Sequence, residues 1–411
     1  MEIPNLTFIT PTTLAGDKSL ADVVAHEIAH SWTGNLVTNA TWDHFWLNEG
    51  WTTWFQRKIM AKIHNDDRFL EFDAIGGWKD LKDTCDDALM PNDFKKLVLD
   101  IGDRDPDDSY STVAYEKGFN LLMALERRVG KERFELFFQA YVQNFSSQPL
   151  TSDDFREFFM NYFHGNEEIM TFDWDTWLYK PGMPPEEPNF DKSLALEAES
   201  LAEGWFSVDR SGNSTPKVVI DSWTSNQKIC FLDTLQTLAS DVPLKVTTVR
   251  MLDKEYGFAG SQNSEILFRY CQLAMAAQDD SMVNVVMKFA TTQGRMKFTR
   301  PLYRSLFASP KWRAKAKDLF LENKDIYHPI CAKMVANDLL QIESDAAEKK
   351  EPIVLSTKES FDSILSKEAI ESLMSKENID SLLSKENMVF LGAVAVGLMA
   401  TGLGMILARK R

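Results

Sequence analysis

Cysteine is scarce in this chain. The four present, Cys85, Cys230, Cys271 and Cys331, are far apart and form no C-x-x-C pair. That excludes a disulfide-stapled scaffold and a thiol metal knuckle, and it fits a reducing compartment. Positive charge is also in deficit: 45 Lys and Arg face 61 Asp and Glu, for a net charge of −16. A phosphate backbone would be repelled, so nucleic acid is not the expected partner. The first twenty residues lack both a basic n-region and an apolar core, so no signal peptide is expected. Long uncharged apolar runs are absent until Met388–Ala408, which is followed by Arg409, Lys410 and Arg411. At 1.5 Å per residue that run spans about 31 Å, the thickness of a hydrocarbon core.

Histidine is rare too, with six in 411 residues, yet two of them share one helical turn in VVAHEIAHSWTGNLV, residues 23–37. Val23, Val24, Ala25, Ile28 and Trp32 flank His26, Glu27 and His30. A solvated face would not be so apolar, and a plain core would not hold three titratable groups. Positions four apart lie on one face of a helix. His26 and His30 therefore project together, as two ligands of one tetrahedral ion require. Glu27 is displaced from them and suits a base beside the metal. H-E-x-x-H alone is also compatible with a pair of structural histidines. Glu49, nineteen positions after His30 in WLNEGW, supplies the third ligand that a catalytic zinc takes beside its open position. The ligand set read here is His26, His30 and Glu49, holding one Zn2+ per chain.

Residues 19–180 read as mostly helical. Ser19 and Asp22 look like a capping box opening the His26 helix. Residues 47–63 read as a second helix, residues 99–111 as a loop, and KGFNLLMALERRV as a further helix stopped by Gly130. The expected organisation is a catalytic domain over 1–180, a Pro-rich linker over 181–191 and an α-helical domain over 192–342. A charged stalk of nine-residue repeats follows over 343–387, with copies starting at 365, 374 and 383, and then a transmembrane helix over 388–408.

HEIAHSWTGNLVTNATWDHFWLNEGW resembles the gluzincin zinc aminopeptidases. With YSTVAYEKGF, WLYKPGMPP and TQGRMKFTRPL, the resemblance is closest to the leukotriene A-4 hydrolase family and covers roughly residues 1–342. It implies a mainly α chain: a truncated thermolysin-like zinc peptidase domain, then a helical C-terminal domain. It implies an aminopeptidase that cleaves the first bond of peptides with a free N-terminus, with water activated by zinc and Glu27 as general base. Tyr115 would stabilise the oxyanion. Glu2, at the end of a shortened exopeptidase motif, would hold the substrate α-amine; the plain alternative is a terminal acid. Asp107 and Tyr110 match substrate-pocket positions. Arg295 and Lys297 match cations for a substrate carboxylate, or else form a solvated basic face. Epoxide opening, a second activity in this family, would draw on Asp107 and Arg295.

Two departures stand out. Ile3 replaces the family's Asn, and everything upstream of Met1 is lacking, including a β domain and the first catalytic sheet. A shortened isoform or fragment is therefore expected, with intact ligands and weakened activity. The alternative to a tethered enzyme is a catalytically impaired, membrane-tethered helical interaction protein. With an apolar C-terminal tail and no leader, the expected topology is a tail anchor with the enzyme facing the cytosol. The outer mitochondrial membrane comes first and the endoplasmic reticulum second.

Overall fold

Three tryptophans at helical spacing, Trp46, Trp51 and Trp54, are almost completely buried. They lie on one helix that other elements surround. In the computed structural model the described residues are 1–348. They include α1 (Ala21–Ala29), β1 (Val37–Asn39), α2 (Trp46–His64), α3 (Arg68–Asp86), α4 (Gly118–Val129), α5 (Lys131–Asn144), β2 (Gln148–Leu150) and α6 (Ser152–Tyr162). Two short helices follow, α7 (Glu167–Met170) and α8 (Trp174–Tyr179). The second helical series is α9 (Ser193–Ser211), α10 (Ser225–Leu238), α11 (Val246–Tyr256), α12 (Ser264–Ala276), α13 (Val283–Thr292), α14 (Met296–Ala308), α15 (Arg313–Asn323) and α16 (Pro329–Glu348). The mainly helical expectation is met. Met1–Glu343 forms one compact unit.

α2 is the axis of the first half. A helix apolar all round is normally a core helix, and α2 is buried on every side over its first turns. Trp51 stacks on Tyr141 at 5.0 Å and meets Phe138 at 5.1 Å. The indole N–H groups of Trp46 and Trp54 donate to Ser152 Oγ and Glu126 Oε2, both at 2.8 Å. Because this cage surrounds α2, the polar residues between its tryptophans are buried with them, and Asn48 and Glu49 are only 6% and 4% exposed. β1 pairs in parallel with β2, Val37 opposite Gln148, and so ties the chain leaving α1 to the far side of the aromatic cage.

One expectation about α1 fails. Its N-cap is Leu20, with no side-chain cap bond. Ser19 is drawn away instead: its hydroxyl accepts from Asn263 Nδ2 at 2.9 Å, and its carbonyl accepts from Ser225 Oγ at 2.6 Å. Tertiary hydrogen bonds to the second helical series replace the local cap. The buried Oδ1 of Asp22 is left with no hydrogen-bond partner.

α4 begins after a single π turn, Val113–Lys117, and stops where Gly130 takes a φ of 91°. Most of the stalk over 343–387 and the whole apolar run over 388–408 lie outside the described residues. Among the described residues no helix is long and apolar enough to cross a membrane.

Candidate metal and peptidase site

α1 and α2 pack side by side, and their facing side chains meet at three atoms. His26 Nε2 lies 3.1 Å from His30 Nε2 and 3.2 Å from Glu49 Oε2, and His30 Nε2 lies 3.5 Å from the same carboxylate oxygen. The tautomers follow from the partners behind the rings. His30 Nδ1 faces the Thr33 carbonyl at 3.0 Å, and a carbonyl can only accept. The proton is therefore on Nδ1, and His30 Nε2 is bare. His26 Nδ1 donates to Gln56 Oε1 at 2.9 Å, which leaves its Nε2 bare as well. Two imidazole lone pairs and a carboxylate oxygen thus converge with no donor among them. Such a donor set suits a divalent cation, and two nitrogens with one carboxylate oxygen suit zinc. Without a cation a proton serves: burial pulls His26 down, but the Glu49 carboxylate outweighs it and raises the imidazole above its ordinary value.

Glu27 points to the side of this triangle. A carboxylate oxygen of Glu27, one of Glu2 and a nitrogen of His30 lie within 4.8 Å of one another. The amino group of Met1 sits between the acids, 2.8 Å from Glu27 and 4.0 Å from Glu2. Glu2 also accepts from Asn48 Nδ2 at 3.3 Å. Burial raises the Glu2 carboxyl, but its own backbone N–H, His30, the Asn48 amide and the amino terminus together hold it below the ordinary range.

Tyr115, in the π turn, lies 6.1 Å from the His26 ring, nearly parallel to it. Its hydroxyl is 2.7 Å from that of Tyr110. Burial, the Glu49 carboxylate and Tyr110 all push its pKa up, so the phenol stays protonated and can donate. π turns are uncommon and cluster at functional sites. A cavity of about 700 Å3 is lined by His26, Gln56, Tyr115, Arg295 and Lys297 among others. Its two distal cations rest on Glu265, Lys297 at 2.7 Å and Arg295 at 3.6 Å. Residues as far apart in the chain as His26 and Lys297 thus share one chamber. Asp107 does not join them. It is exposed on the short turn Pro106–Ser109, its backbone N–H donates to Asp105, and it is absent from that lining.

Several residues at the site escaped the sequence reading. Asn48, Thr52 and Gln56 flank or follow Glu49 at helical spacing, and the i, i+3, i+7 relation of Glu49, Thr52 and Gln56 was the available signal. Thr52 Oγ1 lies 3.0 Å from His30 Nδ1 and donates to the Thr33 carbonyl at 2.9 Å. Arg57, Asp73 and Glu116 form a buried ion cluster whose parts are too far apart in sequence to be paired by inspection.

The peptidase family M1 domain model matches residues 1–177, and the model of the leukotriene A4 hydrolase C-terminal region matches residues 223–339. Leucine aminopeptidase 2 of Ajellomyces capsulatus is 41% identical over 343 residues, covering 82% of this chain and 54% of the relative. The protein of the same name from Emericella nidulans is 43% identical over the same length and coverage. Among solved structures, yeast leukotriene A4 hydrolase in complex with bestatin gives a TM-score of 0.75 at 40% identity, covering 82% of this chain and 57% of the other. The native enzyme from Saccharomyces cerevisiae gives 0.77 at 39% identity, covering 82% and 56%. The chain spans about half the length of the curated relatives it matches.

Proposed function

Because the chain belongs to the M1 family of zinc peptidases, in its leukotriene A4 hydrolase branch, we propose that it is an aminopeptidase that removes the first residue of peptides with a free N-terminus. The observation that carries this reading is the convergence of three bare acceptors, His26 Nε2, His30 Nε2 and Glu49 Oε2, with the Glu27 carboxylate beside them.

His26, His30 and Glu49 would hold the zinc, which would supply Lewis-acid chemistry toward the scissile carbonyl and water. Glu27 takes the proton of the attacking water and hands it to the leaving amine. Tyr115 donates a hydrogen bond from its phenol to the carbonyl oxygen as charge gathers there, and its raised pKa suits a donor that must not ionise. Glu2 stays ionised beside Glu27 and His30, and its carboxylate would take the ammonium of a substrate, which would fix cleavage to the first bond. Arg295 and Lys297 would release Glu265 in part to take the carboxylate at the other end of a short peptide. The names of the relatives make an N-terminal leucine the first substrate to try.

The test uses a leucine amide reporter and metal analysis. Wild-type chain should hold one zinc and release the reporter, Glu27→Gln should hold zinc and be inactive, and Glu49→Ala should lose zinc. An N-acetylated reporter should be inert. Folded wild-type chain without zinc at saturating metal would overturn the reading.

A second reading, a catalytically impaired interaction protein, has one observation in its favour. The outer face of α1 and the turn after it expose Val24, Ile28 and Trp32 at 39%, 51% and 41%, an apolar stripe suited to a partner. Epoxide opening gains no support from the exposed position of Asp107. The tail anchor rests on the sequence of residues 388–408 alone, and carbonate extraction tests it.

A further inference from the structure

Arg57 lies two turns beyond Glu49 on α2 and is only 4% exposed. Its guanidinium holds Glu116 with both terminal nitrogens, Nη1 to Oε2 at 2.9 Å and Nη2 to Oε1 at 3.0 Å. Its Nε donates to Asp73 Oδ2 at 2.5 Å, and Nη2 reaches the Asp73 carbonyl at 3.3 Å. The remaining Asp73 oxygen accepts from Asn226 Nδ2, on α10, at 2.8 Å. The guanidinium carbon also lies 4.2 Å from the centre of the Phe119 ring, in the first turn of α4. Four hydrogen bonds thus hold the fork from two sides.

The fold makes room for this arrangement. A Cβ on Gly77 of α3 would fall 2.0 Å from Glu116 Oε2 and 2.6 Å from Arg57 Nη2. Only glycine lets α3 come so close to the pair. Stability is a weak reason for such a cluster, because a buried ion pair replaced by well-packed apolar groups is often no less stable. What apolar packing cannot supply is direction. Glu116 follows Tyr115 inside the single π turn, so the two-point grip on Glu116 fixes that turn against α2. The same helix, α2, carries Glu49. Arg57 thereby ties the phenol of Tyr115 to the helix that presents the metal-facing carboxylate.

We infer that Arg57 is a positioning residue for Tyr115, acting through Glu116 across the space that Gly77 leaves open. The inference rests on the catalytic role proposed for Tyr115. Its physical content, the placement of the phenol, can be measured without turnover.

The experiment compares Arg57→Lys and Gly77→Ala in the full chain, each with Tyr115 and with Tyr115→Phe. Lysine keeps the charge but cannot make the two-point contact. Alanine leaves the guanidinium chemically intact and pushes on Glu116 first and on Arg57 Nη2 beside it. With Tyr115 present, each variant should lower kcat about 10- to 100-fold. KM and zinc content should stay close to wild type; the melting temperature should fall from overpacking and the disturbed pair, so kcat is read well below it. On the Tyr115→Phe background neither change should lower kcat further. A drop of equal size on that background would overturn the inference, and so would unchanged kcat in the folded variants. If Arg57→Lys does not fold, Gly77→Ala decides. A chain labelled with 3-fluorotyrosine gives the reading without activity: the resonance lost in Tyr115→Phe should shift in Gly77→Ala. An unmoved resonance overturns the positioning role. If the wild type lacks peptidase activity, the aminopeptidase reading fails while a shifted resonance still upholds the positioning.

Discussion

Gly50 and Gly118 meet backbone to backbone: a Cβ on Gly50 would lie 2.8 Å from the Cα of Gly118, and one on Gly118 the same distance from the Cα of Gly50. Gly50 follows Glu49, and Gly118 comes three residues after Tyr115. The crossing therefore sets the spacing between the carboxylate and the phenol. Nothing can yield there, because backbone faces backbone.

Gly50→Ala should force α2 and the start of α4 apart. Overpacking of this kind costs about 1–3 kcal/mol. The melting temperature should fall, and any variant that folds should lose kcat more than zinc. Differential scanning calorimetry with metal analysis checks both. A variant with unchanged melting temperature would show that the crossing can relax.

Gln56→Leu should weaken zinc without touching a ligand. It removes the acceptor that fixes the proton of His26 on Nδ1. Groups of this kind are typically worth about 10- to 100-fold in metal affinity. Competition with a chromogenic chelator measures the change, and equal affinity would mean that the imidazole orients itself without help.

Asp22→Asn should stabilise the chain at neutral pH and do little in acid. Burial, followed by the nearby Asp73, pushes the Asp22 carboxyl up from 3.8 to about 6. The folded state then binds more protons than the unfolded one between these values, so stability falls as pH rises through that window and the cost is complete above it. Asparagine removes a charge that is partly screened and costs about 1–3 kcal/mol. The melting temperature should rise at pH 7.5 and match wild type near pH 4. A gain of equal size at both pH values would assign the effect to packing.

Arg295→Ala should raise KM for short peptides with a free C-terminal carboxylate and leave amide-capped reporters unaffected. The side chain is 42% exposed, so the effect should shrink as salt is added. Steady-state kinetics at two ionic strengths decide it. An equal rise for capped and uncapped substrates would remove Arg295 from carboxylate recognition.

The His26, His30 and Glu49 set was legible because helical periodicity carries its first two members and a short spacing carries the third. Tyr115 and the cations near residue 296 were legible only through family likeness, since no local rule joins residues 26, 115 and 295. The failed cap at Ser19 shows the opposite limit. A local motif predicts a local bond, but Asn263 and Ser225 offer better partners from more than two hundred residues away. The Arg57 cluster was hidden for a related reason. Its members are spread over α2, α3, the π turn and α10, and only packing brings them to one point.

The three lone pairs that converge between α1 and α2 also make zinc a folding ligand. In the folded chain they converge on one point, where zinc takes the place of the proton that His26 otherwise holds against Glu49, whereas in the unfolded chain they are scattered. Stability is therefore linked to the free metal concentration. Above the dissociation constant, each tenfold increase in free zinc adds about 1.4 kcal/mol to the folded state. Unfolding curves taken in metal buffers should shift in parallel with that slope. A chelator should then act on this chain as a denaturant as well as an inhibitor.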